Sequence, residues 1–445
     1  MNNQSNKQQF KELASWVIDQ AKKGGANQCK VSISKTRFVE INYRDRKPEV
    51  IKEATTQNLY LEVFANNRYA GQSTPDFRKT TLGPFVTGLL DTAKIMEEDP
   101  FRTLPDPKYY EGRTSKDLQL ADDSYPSLSS EDRHQMTKTI EESCLQRGGD
   151  KVISVEAGEY DERGENFTMT SNGFEAYNET TQYWTGANMT ARDEGDRRPS
   201  ESNWVGCRYR SDLPSLEATG QKAAERTLAL LGGKKIQTET IPIIVENRVV
   251  SRLLGGLLNP MFAGNIQQQR SYLANKKGEA IGSKLLTIID DPFIPRGLAS
   301  GYSDDDGFPT RKRELFTQGV LNDFLVDWYY GKKLGWEPNS GSLTNIIIPP
   351  GNKTVDEMIK DLGRCIFITG FIGGNSNSTT GDFSVGVLGQ LYDKGSFVQN
   401  IAEMNIADNH LTFWKKLVET GNDPWIYSQL QSPSLVFEDV VVAGI

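Results

Sequence analysis

Histidine is almost absent from this sequence: only His134 and His410 occur in 445 residues. A protease zinc site commonly starts from two histidines on one helix face joined by a third donor, and two widely separated histidines cannot form that motif. Cysteine is nearly as scarce. Cys29, Cys144, Cys207 and Cys365 are far apart with no Cys-x-x-Cys pair, which excludes a disulfide framework and predicts separate, reduced thiols in small apolar niches. No run approaches the ~18 apolar residues that span a bilayer, and Met1–Gln9 is polar, so a cytoplasmic protein without membrane contact is expected. Positive charge is also in deficit. The formal net charge is −8, and the short run Arg311–Arg313 does not build the phosphate-binding surface that nucleic acid requires. There is no Gly-x-Ser-x-Gly elbow and no Gly-Lys-Ser or Gly-Lys-Thr loop, so the common signatures of serine hydrolases and nucleotide binders are missing.

What is present is the composition of a folded protein, 37% hydrophobic and 25% charged, long enough at roughly 150 residues per domain for two or three domains. Phe10, Leu13, Ala14, Val17, Ile18 and Ala21 share one helix face, and Gly24–Gly25 end that helix. Three alternating runs follow, Cys29–Ile33, Val39–Tyr43 and Leu59–Val63, read as three antiparallel strands with Asn66–Asn67 as a turn. Helical spacing returns from Leu82 to Ala93, and Asp99–Pro126, with four prolines, reads as a linker. The order then repeats. A helix with Met136, Ile140 and Cys144 stops at Gly148–Gly149, strands follow near Val152–Val155, Phe167–Thr170 and Tyr183–Thr190, and another helix spans Ala223–Leu231. This recurrence suggests a diverged duplication.

From Thr240 onward β-branched runs dominate: Ile241–Val245, Leu285–Ile289, Asn345–Ile348, Cys365–Thr369, Phe383–Leu391 and Leu435–Val442. Inserted helices start at the capping box Thr354–Glu357 and carry Leu411, Trp414, Leu417 and Val418. The expected class is α+β, an N-terminal α/β-sandwich-like region followed by a sheet-rich C-terminal domain. The expected units are 1–98, a linker 99–126, 127–235 and 236–445.

Few residues invite a chemical role. His134 lies in a charged helical stretch and reads as a surface residue; His410 follows Asp408–Asn409 at a helix start. Asp304–Asp305–Asp306–Gly307 is the densest acidic cluster, but consecutive carboxylates diverge and do not match a calcium loop. Gly370, Gly373 and Gly374 lead into an Asn/Ser-rich loop through Thr380, which suits a backbone-exposing peptide contact. A hydrolase acting through Asp305, Asp306 or Asp382 is one competing reading, and a homodimeric peptide-binding protein is another.

At these residues the chain resembles the PmbA/TldD family, formerly described as modulators of DNA gyrase. The resemblance is strongest from Ser271 onward. It is carried by Ser271–Tyr272–Leu273 with Gly278, Leu286–Asp291, Asp305–Asp306–Gly307 with Pro309–Thr310, Gly319–Val320–Leu321, Asn345 with Gly351, Thr380–Ser384, Gly389, Met404–Asn405–Ile406 and the closing Ser434–Gly444 strand. At Asp306 the family usually has Glu. No single piece is specific; the ordered series is. In the catalytic branch a helix carries His-Glu-x-x-x-His, whose histidines bind zinc while Glu activates water. The corresponding helix here is Val249–Leu258, and the motif position, Gly255–Pro260, has no ligand. The resemblance therefore implies the partner branch, TldE/PmbA-like, that lacks the motif. It further implies a dimeric metallopeptidase complex with zinc in a partner subunit and none bound by this chain. Such complexes degrade unfolded polypeptides and trim modified peptides, including a microcin precursor and an antitoxin. Asp305, Asp306, Gly307, Asn345, Gly381, Asp382 and Asn405 are the candidate peptide-cleft or family-motif residues, with no catalytic residue expected.

Overall fold

The computed structural model describes residues 3–445. Its N-terminal half starts with α1 (Asn3–Lys23), which buries Phe10, Ala14, Val17, Ile18 and Ala21 as their spacing predicts. Two long strands follow, β1 (Gln28–Arg44) and β2 (Lys47–Ala65), then a short β3 (Arg68–Thr74) and α2 (Lys79–Ile95). The runs Cys29–Ile33 and Val39–Tyr43 thus belong to one strand, not two. The polar stretch between them stays extended because both its neighbours pair with it throughout. The chain reverses at Asp45–Arg46 and at Asn66–Asn67, all four with positive φ, the conformation that two-residue hairpin turns demand.

The second half repeats this order. Helix α3 (Ser130–Gly148) starts from a capping box between Ser129 and Asp132. Next come β4 (Val152–Thr170), β5 (Glu175–Ala191), β6 (Ser200–Cys207) and α4 (Leu216–Leu228). All six strands form one antiparallel sheet, ordered β3-β2-β1-β4-β5-β6. Its centre lies near Arg37 opposite Arg163. Arg37 pairs outward with Glu53 of β2 at 2.7 Å and Arg163 outward with Glu179 of β5 at 2.8 Å, so the halves match about a pseudo-dyad. Odd-numbered residues of β1 and β4 face all four helices, α1 and α2 over one half and α3 and α4 over the other. The segment between α2 and α3 is fastened to this layer through buried Leu104, Tyr110, Leu118, Leu120 and Tyr125.

The C-terminal half is built on a closed barrel of five strands. In spatial order these are β7 (Glu239–Val245), Cys365–Ser376, Asp382–Asp393, Ser396–Asn409 and Leu435–Ala443, which returns to β7. Closure removes exposed edges from the barrel. Helix α5 (Val250–Leu258) leaves the end of β7 and buries Leu253, Leu254, Leu257 and Leu258 against one large core. A smaller sheet that includes Ile288–Asp291, Arg313–Thr317 and Asn345–Ile347 packs on the same core. The expected helix over Leu411–Val418 is shorter than its apolar spacing suggests. It runs His410–Phe413 with a 3₁₀ turn Trp414–Lys416, after which Leu417 enters a strand and pairs with Phe437. The thiols of Cys29, Cys144, Cys207 and Cys365 are all free and buried. No helix among the described residues is long and apolar enough to cross a membrane.

Candidate functional site

The site grows out of the β7–α5 connection. Helix α5 is amphipathic, and its less buried side presents Ser251, Arg252, Gly255 and Gly256 to a cavity of about 500 Å³. The opposite wall is the glycine-rich hairpin, Gly374–Ser376 with Ser378, and the floor holds Phe383, Val385 and His410. Positive φ at Gly373, Gly374 and Gly381 lets this hairpin fold tightly over the barrel mouth. Arg252 clamps it to α5 by donating to the Gly373 carbonyl at 3.1 Å.

His410 is the only histidine here, and its surroundings fix its state. Asn409 caps the short helix that holds it. The Trp414 indole N–H donates to Nδ1 at 3.1 Å, and indole nitrogen can only donate. Nδ1 is therefore the acceptor, and Nε2 carries the proton that it gives to Ser376 Oγ at 3.0 Å. Tyr272 stacks on the ring at 5.9 Å and Phe383 lies at 4.8 Å. Burial in this aromatic box lowers the His410 pKa to about 4, against a smaller opposing pull from Asp408. With Nε2 protonated and the Nδ1 lone pair taken by Trp414, the neutral imidazole has no free lone pair facing Ser376, so the pair is not arranged as a nucleophile and base. Gly256 is required by the same packing, because a Cβ there would lie 2.2 Å from His410 Nε2.

The donor set does not suit zinc. Gly255–Pro260 offers no His, Cys or carboxylate, both nitrogens of His410 are engaged, and no group of three or more His, Cys, Asp or Glu among the described residues could hold a metal ion. The cavity instead presents backbone, hydroxyls, one guanidinium and the rings of Phe383 and His410.

Of the residues singled out in the sequence, Gly381 ends the hairpin turn beside this cavity, and Asp382 and Asn405 lie on the adjoining strands. Gly381 accepts from His410 N–H at 2.8 Å through its carbonyl. Exposed Asp382 accepts from Thr380 at 2.7 Å and Asn409 at 2.8 Å, which lowers its pKa and braces the hairpin. Asn405 meets Ser384 at 3.2 Å across paired strands. The other candidates are elsewhere. Asn345 is fully buried and ties Asp291, Ser300 and Ala299 together. Asp305, Asp306 and Gly307 form a turn against the N-terminal sheet: Lys30 donates to the Asp305 carbonyl at 2.6 Å, and Asp306 accepts from Trp328 N–H at 2.9 Å. Burial raises the Asp306 pKa to about 7; the Trp328 bond opposes this, Asp304 adds to it and Lys30 opposes it. His134 is not the free surface residue its neighbours suggested, since it is half-buried and bonded to Tyr43 at 3.0 Å. The sequence reading missed Ser376, Arg252 and Trp414 as site residues; the i, i+4 spacing of His410 and Trp414 was the available signal.

Comparison with known proteins agrees with this architecture. Residues 123–231 match the PmbA/TldA metallopeptidase central domain and residues 238–444 the PmbA/TldA metallopeptidase C-terminal domain. A metalloprotease PmbA of Escherichia coli O157:H7 is 26% identical over 439 residues, 98% of this chain and 96% of that protein. The crystal structure of a proposed modulator of DNA gyrase from Bacteroides thetaiotaomicron superposes with a TM-score of 0.95 at 35% identity, covering 98% of this chain and 99% of that one. The fold is shared as well by TldE from Thermococcus kodakarensis, with a TM-score of 0.85 at 19% identity over 97% of this chain and all of that one (100%). With two successive family domains and a near full-length relative above 30% identity, the chain belongs to the PmbA/TldD family.

Proposed function

We propose that this chain is the non-catalytic, peptide-holding subunit of a TldD/TldE-type zinc metallopeptidase complex in the cytoplasm. Its partner, a homologous subunit with His-Glu-x-x-x-His, would supply the zinc. One observation carries the reading: where the catalytic branch has its ligands, helix α5 presents Gly255 and Gly256 to a cavity whose sole histidine is locked as a neutral donor. The cavity keeps the form of a substrate site without the means of activating water. An extended peptide could lie along the Gly374–Ser378 hairpin, main chain against main chain, with Phe383 and the α5 face as side-chain contacts. Names of relatives as metalloproteases are consistent with a place in such a complex. The homodimeric reading would use the same cavity without a zinc-bearing partner.

The test is an assay of unfolded polypeptide with this chain alone, the partner alone, the mixture, and the mixture with the partner's motif Glu replaced by Gln. Cleavage is expected in the intact mixture only, with no stoichiometric zinc in the dialysed chain by elemental analysis. Chelator-resistant cleavage by this chain alone would overturn the reading. A mixture that neither associates nor cleaves, with native mass showing a self-pair, would assign the homodimer.

A further inference from the structure

A second cavity, also about 500 Å³, lies where the N-terminal layer meets the barrel. One wall comes from β6 and α4, with Asn203, Thr219 and Lys222; the other comes from the end of β7 and the 423–427 loop, with Arg248, Trp425 and Tyr427. Its charges are unevenly committed. Glu246 receives both hydrogen bonds from Arg226, at 2.7 and 2.6 Å. Asp423 receives Ser434 N–H at 2.9 Å, Ser434 Oγ at 2.8 Å and Asn247 Nδ2 at 3.2 Å. The acids are thus satisfied within the protein.

The donors are not. The Arg248 guanidinium lies over Trp425, 4.3 Å from the ring centroid, and among the described residues its one side-chain hydrogen bond runs from Nη1 to the neutral Asn203 side chain. Among the described residues it has no carboxylate partner, Lys222 has no ion pair, and neither Trp425 Nε1 nor Tyr427 Oη has an acceptor. Burial lowers the Arg248 pKa to about 10; Arg226 adds to this, and Glu246 and Glu201 oppose it. Arg248 is half-buried, and the guanidinium nitrogens that Asn203 leaves unbonded open onto the cavity, where they can receive an anion. Helix α5 does not need the charge for its own packing, which is apolar.

We infer that this cavity binds a ligand bearing a single carboxylate next to an apolar or aromatic group. The fork of Arg248 grips the carboxylate, with Lys222, Trp425 Nε1 and Tyr427 Oη as further donors. The Trp425–Tyr427 corner, with ring centroids 5.1 Å apart, together with Val205 and Phe367, takes the apolar group. A dianionic phosphate is disfavoured because Glu246 and Asp423 line the same cavity. A free organic acid and a peptide C-terminus both supply this carboxylate, and their chemistry at the guanidinium is the same. This site is separate from the α5 cavity and does not depend on the subunit assignment.

Isothermal titration of the full chain tests it with N-acetyl-phenylalanine, a tripeptide ending in free phenylalanine, the same tripeptide as its C-terminal amide, and inorganic phosphate. Both acids are expected to bind, with the amide at least about tenfold weaker. Arg248→Gln should weaken the acids to the level of the amide while melting at or above the wild-type temperature. Lys222→Gln, at an exposed position that cannot compromise folding, should cost about threefold. A tripeptide tighter than the acetyl amino acid identifies a peptide tail; equal affinities identify a free acid, and either supports the site. Equal binding of acid and amide, phosphate tighter than both acids, or unchanged affinity in both variants overturns it.

Discussion

Asp306 shows how one side chain can couple the two halves to pH. Its carboxyl lies in the turn that Lys30 of β1 grips, with the N–H of Trp328 on one oxygen. Burial raises its pKa from 3.8 to about 7. The folded chain therefore holds a proton that the unfolded chain releases near pH 4, so this group's contribution to stability is complete below about pH 4 and is lost as pH rises toward 7. Replacing it by Asn keeps an acceptor for Trp328 and removes the titration. Asp306→Asn is expected to unfold with a midpoint that declines less between pH 4 and 7 than wild type, as followed by circular dichroism melts at several pH values. Parallel curves for the two proteins would show that Asp306 is ionised throughout. His410 acts in the opposite direction: its pKa of about 4 lies below the ordinary value, so its contribution is lost as pH falls from about 6.5 toward 4.

Among the elements, the doubled sheet offers a comparison the protein makes with itself. In the register about the pseudo-dyad, Ile33 of β1 corresponds to Glu159 of β4, and Leu59 of β2 to Thr185 of β5. Where the first half is apolar, the second buries Glu159 with neither oxygen bonded and Thr185 with its hydroxyl unbonded. Burial raises the Glu159 pKa to about 10, and Asp161 beside it adds to the rise, so the acid is protonated at neutral pH. Glu159→Leu, which follows the pattern of the first half, should raise the unfolding free energy by ~1–3 kcal/mol in urea titration, because an unpaired polar group leaves the core. A decrease would show that Glu159 serves an interaction worth more than its burial costs. The duplication itself was legible, since the recurring helices and glycine stops survive divergence. Strand lengths were not, because the pairing that keeps Ser34–Phe38 extended comes from β2 and β4 and leaves no local apolar alternation. The helix expected at Leu411–Val418 was misjudged for a related reason: Leu417 is claimed by Phe437, a partner distant in sequence.

For the whole molecule, the question is what holds the sheet layer to the barrel. Ordered motifs revealed the family and the position of α5, yet contacts between halves carry no local pattern, and so the cavity at Arg248 and the locked His410 emerged only from the fold. The junction relies on charged side chains of the N-terminal half reaching C-terminal groups: Arg208 donates to the Gly297 carbonyl at 2.8 Å, and Arg226 joins Glu246 through two bonds and the Thr369 carbonyl through a third at 2.9 Å. The side chains of Arg226 and Glu246 are 8% and 12% exposed, so the pair is largely shielded from water. Glu246→Gln, which leaves Arg226 with only the more distant Glu201 carboxylate at 4.0 Å, should destabilise the chain by up to ~3 kcal/mol, the low end for breaking a buried pair, whereas removing both charges in Arg226→Met with Glu246→Leu should recover most of that loss. The measurement is a double-mutant cycle by urea unfolding. A coupling energy near zero would mean that the halves are held by their apolar contacts, with this pair as a passenger. A large one would mean that the layer and barrel unfold as one body because a single ion pair joins α4 to the strand that leads into the site.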